Sequence, residues 1–249
     1  MVFRHHKFRK EDKNRTKFET WGLILAAAGS GSRMGGGLPK QFMPIEEFPL
    51  YLYSLHPFIT FVKKTVIVVP NSQVREVEED LGKTYADPVL ADFLVVGGGE
   101  SRQESVRIGL KNLPPSIEKV LIHDAARPLI TAELIERVIQ GTEEQGACVP
   151  VLNITDTVKE VDASYIVRTL ERETLALAQT PQGFDIRLLR ESYDMAARLG
   201  FQGTDESSLV EKMGAAVLTV KGDFNNIKVT WREDLKKVER LLPSLNRNR

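Results

Sequence analysis

The segment 23–42, LILAAAGSGSRMGGGLPKQF, gathers the residue types that hold phosphate. An apolar run suited to a buried strand empties into a loop with five glycines, Arg33 and, after Pro39, Lys40. Glycine lets a backbone turn sharply and bring its N–H groups against an anion with no side chain in the way. Arg33 and Lys40 add fixed positive charge beside those amides. The chemistry implied is capture of a nucleoside triphosphate, with Gly29 and Gly31 in the nucleotide-binding loop. The Walker pattern does not fit, because Lys40 follows Pro39 and precedes Gln41. The dinucleotide fingerprint fails too, since Gly35 falls one residue late after Gly29 and Gly31.

Other polar segments also follow apolar runs. GGGESRQES, residues 97–105, offers backbone N–H and C=O groups to a flat ligand such as a base, with Ser105 one helical turn on and facing back to the loop. The same residues make a capped helix start, with Ser101 as N-cap and Glu104 completing a capping box. HDAARP, residues 123–128, sets Asp124 just past a strand end, where a carboxylate can hold Mg2+ on triphosphate oxygens or simply cap a turn. His123 reads as a hydrogen-bonded strand-end histidine, and Arg127 as a partner of Asp124 or of a substrate phosphate. Within NIKVT, residues 226–230, Lys228 occupies a short strand pattern where burial without an anion would be costly, so a phosphate contact fits. Thr204 resembles the N-cap of a helix running through Glu211.

The elements that must position these residues alternate along the chain. Buried strands are expected at 23–28, 65–69, 93–96, 120–123 and 147–152. Helical patterns lie at 50–61, 72–85, 101–113 and 131–145, with Asn71 and Thr131 in N-cap positions, and a last packing helix spans 233–242. This order predicts an α/β fold: a Rossmann-like, mostly parallel sheet with helices on both faces and ligands beyond the carboxyl ends of the strands. From 153 to 171 the pattern changes. TDTVKEVDASYIVRTL alternates polar and β-branched residues around a turn at 162–164, which predicts a projecting β-hairpin arm. Such an arm buries a face against a partner, so a homodimer is expected, with an edge hairpin packed on its own subunit as the alternative.

Bulk properties bound these readings. The 249 residues are 42% hydrophobic with zero net charge, enough for one large core. Residues 1–21 hold seven Lys or Arg against three Asp or Glu and read as a flexible basic extension. Residues 22–242 form the expected single domain, 243–249 a C-terminal tail, and no second domain is expected after Arg249. No basic face interleaved with aromatics suggests nucleic acid, and no apolar stretch reaches the length of a membrane span. Cys148, the lone cysteine, reads as a small apolar residue on a buried strand, and a reducing cytoplasm is the expected setting.

The glycine loop, as G-x-G-x-R-M followed by P-K, resembles the signature of sugar-phosphate nucleotidyltransferases. Taken together, AAAGSGSRMGGGLPKQ, GGGESRQESV, IHDAARP, DTVKE, RETLALAQTPQGF, TDESSLVE and NIKVT resemble the 2-C-methyl-D-erythritol 4-phosphate cytidylyltransferase family from about Trp21 to Leu242. The resemblance implies joining CTP to methylerythritol phosphate with release of pyrophosphate, aided by Mg2+ or another divalent cation. It implies cytosine recognition by Ala27, Ala28, Gly99, Glu100 and Ser105, and ribose contacts from Gly29 and Ala125. Arg33 and Lys40 would grip the triphosphate, with Asp124 near ribose and metal. Thr180, Thr204 and Lys228 would hold the methylerythritol phosphate, joined by Thr157 and Arg172 from the partner's arm. Catalysis would rest on Arg33, Lys40 and Lys228. Departures are the N-terminal extension, Glu100 where many relatives have aspartate, and no second carboxylate beside NIKVT, where Asn225 and Asn226 stand closer than Asp223. The last implies metal coordination largely by the triphosphate. A ribitol 5-phosphate cytidylyltransferase and a non-catalytic nucleotide-binding module are the alternatives; RETLALAQTPQ resembles the methylerythritol enzymes more.

Overall fold

The computed structural model describes residues 18–29, 38–85 and 92–247. The basic extension up to residue 17, and with it Gly31 and Arg33 of the glycine loop, lie outside the described residues. Trp21, counted above with the extension, is instead buried as the first residue of strand β1 (Trp21–Ala26).

A small antiparallel pair, β2 (Pro44–Ile45) and β3 (Phe48–Pro49), leads into helix α1 (Leu50–Leu55). Then come β4 (Lys64–Val69), α2 (Val74–Thr84), β5 (Asp92–Gly97), α3 (Arg102–Lys111), β6 (Lys119–Asp124), α4 (Ala132–Gln145) and β7 (Ala147–Asn153). The hairpin β8 (Lys159–Asp162) and β9 (Tyr165–Thr169) follows. After it run β10 (Ala176–Ala178), β11 (Gln182–Asp185), α5 (Ile186–Leu199), α6 (Glu206–Lys212), β12 (Leu218–Lys221) and α7 (Arg232–Arg247).

The central sheet has the order β5-β4-β1-β6-β11-β7, with both β10 and β12 pairing to β7. Strands β5, β4, β1 and β6 are parallel, and β12 is parallel to β7. Strand β11 is antiparallel to both β6 and β7, and β10 is antiparallel to β7. Because successive strand side chains point to opposite faces, β1 feeds two cores. Leu23 and Leu25 pack with α1, α2 and α4 on one face, whereas Ile24 packs with α3, α5 and α6 on the other. Helix α7 closes a third cluster over Ile45, Leu50 and Leu129. Strand order reverses on either side of β1, so the crevice beyond the ends of β1 and β6 is the natural ligand site.

The expected mostly parallel sheet, covered on both faces, is present, and the hairpin forms around a turn with Ala163 at φ 49. Local expectations needed correction. The helix expected at 50–61 stops at Leu55 and gives way to a 3-10 turn at His56–Phe58, where Pro57 lacks the N–H to continue it. Asn71 opens a 3-10 turn, Asn71–Gln73, instead of capping α2. The cap of α6 is Asp205, not Thr204: its carboxylate accepts from the Ser208 N–H. NIKVT is an irregular segment rather than a strand, docked by the Val229 N–H on the Ala126 carbonyl. Helix α7 continues beyond Leu242 to Arg247, through the residues expected as a tail.

Helix α3, which follows the 97–101 loop, lies close on the sheet because Gly109 has no side chain. A Cβ there would sit 2.7 Å from Cγ2 of Ile24 and 3.2 Å from Cγ2 of Val68. Gly109→Val should therefore lower unfolding free energy by about 1–3 kcal/mol through overpacking, measured by chemical denaturation. An unchanged midpoint would show that α3 yields freely.

Candidate active site

Four loops meet over the carboxyl ends of β1, β5 and β6 and enclose a cleft of about 540 Å3. The β1 exit supplies Ala27, Ala28 and Gly29, and the β5 exit Gly99, Glu100, Ser101 and, within α3, Arg102 and Ser105. The β6 end adds Asp124, Ala125 and Ala126; Lys40, Gln41, Lys228 and Thr230 complete the lining. Residues from both halves of the chain thus converge here.

The β1 exit is stapled by Gln41. This side chain is buried on the 3-10 turn Lys40–Phe42 and donates to the carbonyls of Ala27 at 2.6 Å and Gly29 at 2.8 Å. The staple fixes Lys40, its neighbour, at the cleft wall. On the opposite wall Ser105 braces the base loop: its Oγ accepts from the Gly99 N–H at 3.1 Å and donates to the Ser101 carbonyl at 2.8 Å. Ser101 caps α3 by accepting from the Glu104 N–H, as expected. The reciprocal half of the capping box is not made, because Arg107 engages the Glu104 carboxylate with two hydrogen bonds. The two walls approach closely at Gly98, where a Cβ would lie 2.5 Å from Cβ of Ala28.

Asp124 forms the floor. Its side chain is 9% exposed and surrounded by cations: Lys228 Nζ at 2.7 Å, Arg102 Nε at 3.4 Å and Arg127 Nε at 3.7 Å. Burial alone would push the carboxyl up, but Lys228, then Arg102 and Arg127, outweigh it and hold the group well below the usual carboxylate range. Arg127 is itself buried, donating to the Asn226 carbonyl at 2.8 Å. Next door, His123 is enclosed against the Phe58 ring, and burial pushes its imidazole down to about 3. Its Nε2 lies 3.3 Å from the Arg127 carbonyl, which can only accept, so the neutral ring carries its proton there. The Thr180 hydroxyl then donates to Nδ1 while accepting from the Asp124 N–H, both at 3.1 Å.

Strand β11, between β6 and β7, delivers this support. Gln179 brackets the 223–226 turn that precedes Lys228, accepting from the Asp223 N–H and donating to the Asp223 and Asn226 carbonyls. Asn226 returns a bond to the Thr180 carbonyl at 2.8 Å. Gln182 ties β11 to the start of α6 through Asp205 and the Ser207 N–H.

Of the residues singled out from sequence, Ala27, Ala28, Gly29, Lys40, Gly99, Glu100, Ser105, Asp124, Ala125 and Lys228 line the one cleft. Four do not. Thr180 is buried beneath Asp124 with its hydroxyl committed to two bonds. Thr204 is exposed in the turn before α6, and Thr157 is exposed before β8. Arg172 borders a separate hollow with Asn153 and Thr155, donating to the Thr155 carbonyl at 2.6 Å. Gln41, Arg102 and the Gln179 and Gln182 pair were not foreseen. Each lies in a segment quoted above for its motif, but its residue type does not name the distant partner it meets.

The cleft suits a flat ring between backbone loops and a polyanion toward Lys40 and Lys228. A divalent cation fits this donor set chiefly through a bound polyphosphate. Asp124 supplies one ionised carboxylate, and no group of three or more His, Cys, Asp or Glu able to hold a metal occurs among the described residues. No helix among those residues is long and apolar enough to cross a membrane. Thr180→Val should leave the Asp124 N–H and His123 Nδ1 without partners and cost about 1–3 kcal/mol of unfolding free energy. Stability equal to the unaltered protein would deny those bonds any weight.

Comparison with known proteins agrees with this geometry. The family model described as "IspD: 2-C-methyl-D-erythritol 4-phosphate cytidylyltransferase" matches residues 22–244. A 2-C-methyl-D-erythritol 4-phosphate cytidylyltransferase of Bacillus cereus is 40% identical over 221 residues, 88% of this chain and 96% of the relative. The crystal structure of the Thermus thermophilus cytidylyltransferase of that name superposes with TM-score 0.72 at 32% identity, covering 91% of this chain and 100% of the other. The 4-diphosphocytidyl-2C-methyl-D-erythritol synthase of Anaerococcus prevotii reaches 0.78 at 28% identity, covering 90% and 99%. With the matched span holding every lining residue of the cleft, this chain belongs to the 2-C-methyl-D-erythritol 4-phosphate cytidylyltransferase (IspD) family.

Proposed function

We propose that this protein transfers the cytidylyl group of CTP to 2-C-methyl-D-erythritol 4-phosphate, giving 4-diphosphocytidyl-2-C-methyl-D-erythritol and pyrophosphate for non-mevalonate isoprenoid synthesis. The observation that carries this reading is the convergence of Lys40 and Lys228 on one cleft with the base loop and Asp124. An acceptor phosphate oxygen attacks the α-phosphorus of CTP; that P–O bond forms as the bond to the β-phosphate oxygen breaks, and the electron pair leaves with pyrophosphate. The attacking group is already anionic, so no general base is required. The barrier comes from two anions meeting at a phosphorus that gains charge density, and positioning with cationic stabilisation lowers it.

In this reading the Gly99–Ser105 loop and Ala27–Ala28 hold cytosine, with Glu100 acting through its backbone. Gly29 and Ala125 border the ribose, and Gly31 and Arg33 of the glycine loop join Lys40 on the triphosphate. Lys228, oriented by Asp124, receives the acceptor phosphate, with Thr204 nearby in sequence motif and Thr180 acting from below by fixing Asp124. Mg2+, held by Asp124 and the triphosphate, would neutralise the leaving pyrophosphate. A cytoplasmic setting suits the single buried thiol of Cys148.

The hairpin supports a homodimer. The ribbon leaves four large apolar side chains, Val161, Tyr165, Ile166 and Val167, mostly exposed on their own subunit. A partner cleft would supply that cover and place Thr157 and Arg172 at the acceptor end.

Pyrophosphate release, with four nucleotides crossed against methylerythritol phosphate and ribitol 5-phosphate, tests the reaction. The expected result is turnover with CTP and methylerythritol phosphate, and none without an acceptor; CTP binding without release would leave only a nucleotide-binding module. Lys40→Ala should lower turnover about a hundredfold, roughly 3 kcal/mol of transition-state stabilisation, with little change in unfolding midpoint. For the arm, Ile166→Asp with Val167→Asp should give a monomer by sedimentation and lose turnover. A fully active monomer would remove the arm from the site.

A further inference from the structure

Glu206 opens α6 within the TDE motif, and the reaction as read above gives it no task. It is 1% exposed and does not line the cleft. Its Oε1 accepts from Arg102 Nη1 at 2.8 Å and from the Tyr193 hydroxyl at 3.2 Å, while Oε2 has no hydrogen-bond partner among the described residues. Arg102 is shared between two acids, since its Nε also faces Asp124 at 3.4 Å. Nevertheless Arg102 lines the cleft, with its side chain 30% exposed and Nη2 making no hydrogen bond among the described residues. One planar fork therefore joins the base loop, the end of β6 and the start of α6.

A buried carboxylate with an unpartnered oxygen is a poor device for stability, because ion pairs taken out of water are often no better than packed apolar groups. It is a good device for aiming a cation. Without Glu206, Arg102 would be drawn wholly onto Asp124 and would compete with Lys228 for its oxygens. With Glu206 drawing on Nη1, only Nε is spent on Asp124 and the rest of the fork stays at the cleft. We propose that Arg102 is a further cation acting on the transferring phosphate and that Glu206 is its positioning residue, an inference that rests on the nucleotidyl-transfer reading. The assignment gives the TDE motif a role in the nucleotide half of the site rather than in packing alone.

Steady-state pyrophosphate release by the full chain, with CTP and methylerythritol phosphate, tests this. Glu206→Gln keeps shape and one hydrogen bond but removes the charge. It should lower kcat about tenfold or more while KM for CTP and the unfolding midpoint stay close to those of the unaltered protein. Arg102→Lys keeps a charge without the fork and should lower kcat in the same way. Combining the two should lower kcat no further than Arg102→Lys alone, because one residue acts through the other. Glu206→Asp, which keeps the charge but shortens the reach, gives the same expected drop should Glu206→Gln fail to fold. Unaltered kcat in Arg102→Lys overturns the inference, as does unaltered kcat in the folded Glu206 variants. Losses that multiply in the double variant overturn the link between the residues. Should the unaltered protein release no pyrophosphate, the functional reading itself fails and takes this inference with it.

Discussion

A single carboxylate, Asp124, organises the cleft by being outnumbered. Lys228 and Arg102 reach it from segments remote in sequence and Arg127 from three residues further along the same loop, and each would repel the others if the anion were absent. In a site of low dielectric this attraction persists where exposed pairs would be screened by salt. The cost of burying the charge is offset because the cationic partners arrive together. What results is an excess of positive charge already in place before a polyanion enters, so little reorganisation is left for the moment of reaction.

That arrangement depends on a departure from an all-parallel sheet. Strand β11 runs antiparallel between β6 and β7, and the chain just before it, Gln179 and Thr180, passes under the site and reaches both Asp124 and the turn preceding Lys228. A parallel strand in that place would need a crossover connection and would present its other end to the crevice. The QTPQ and NIKVT motifs are therefore a single physical unit, each satisfying the other's buried polar groups.

Much of the frame was legible in the sequence because apolar runs, spacing and caps are local signals. The five strands expected along the first part of the chain are β1, β4, β5, β6 and β7, and Thr131 caps α4 by accepting from the Leu134 N–H. The hairpin was visible from alternation alone. What stayed hidden was set by tertiary partners. Strands β10 to β12 are three or four residues long and carry no clear period, so only their pairing with β7 and β6 defines them. Thr204 and Asp205 are both sound caps by residue type, and the choice fell to Asp205, whose carboxylate also serves Gln182. Lys40, Asp124 and Lys228 stood out by chemistry, whereas Gln41 and Arg102 act through groups distant in the chain, which no local pattern reveals.

The near contact at Gly98 has a bearing on how the two walls of the cleft are spaced. Because the β1 and β5 exits meet with only a hydrogen atom's space to spare, the gap between them is set by what is missing, not by an adjustable side chain. Even a single added methyl at this position would wedge the β1 exit away from the β5 exit.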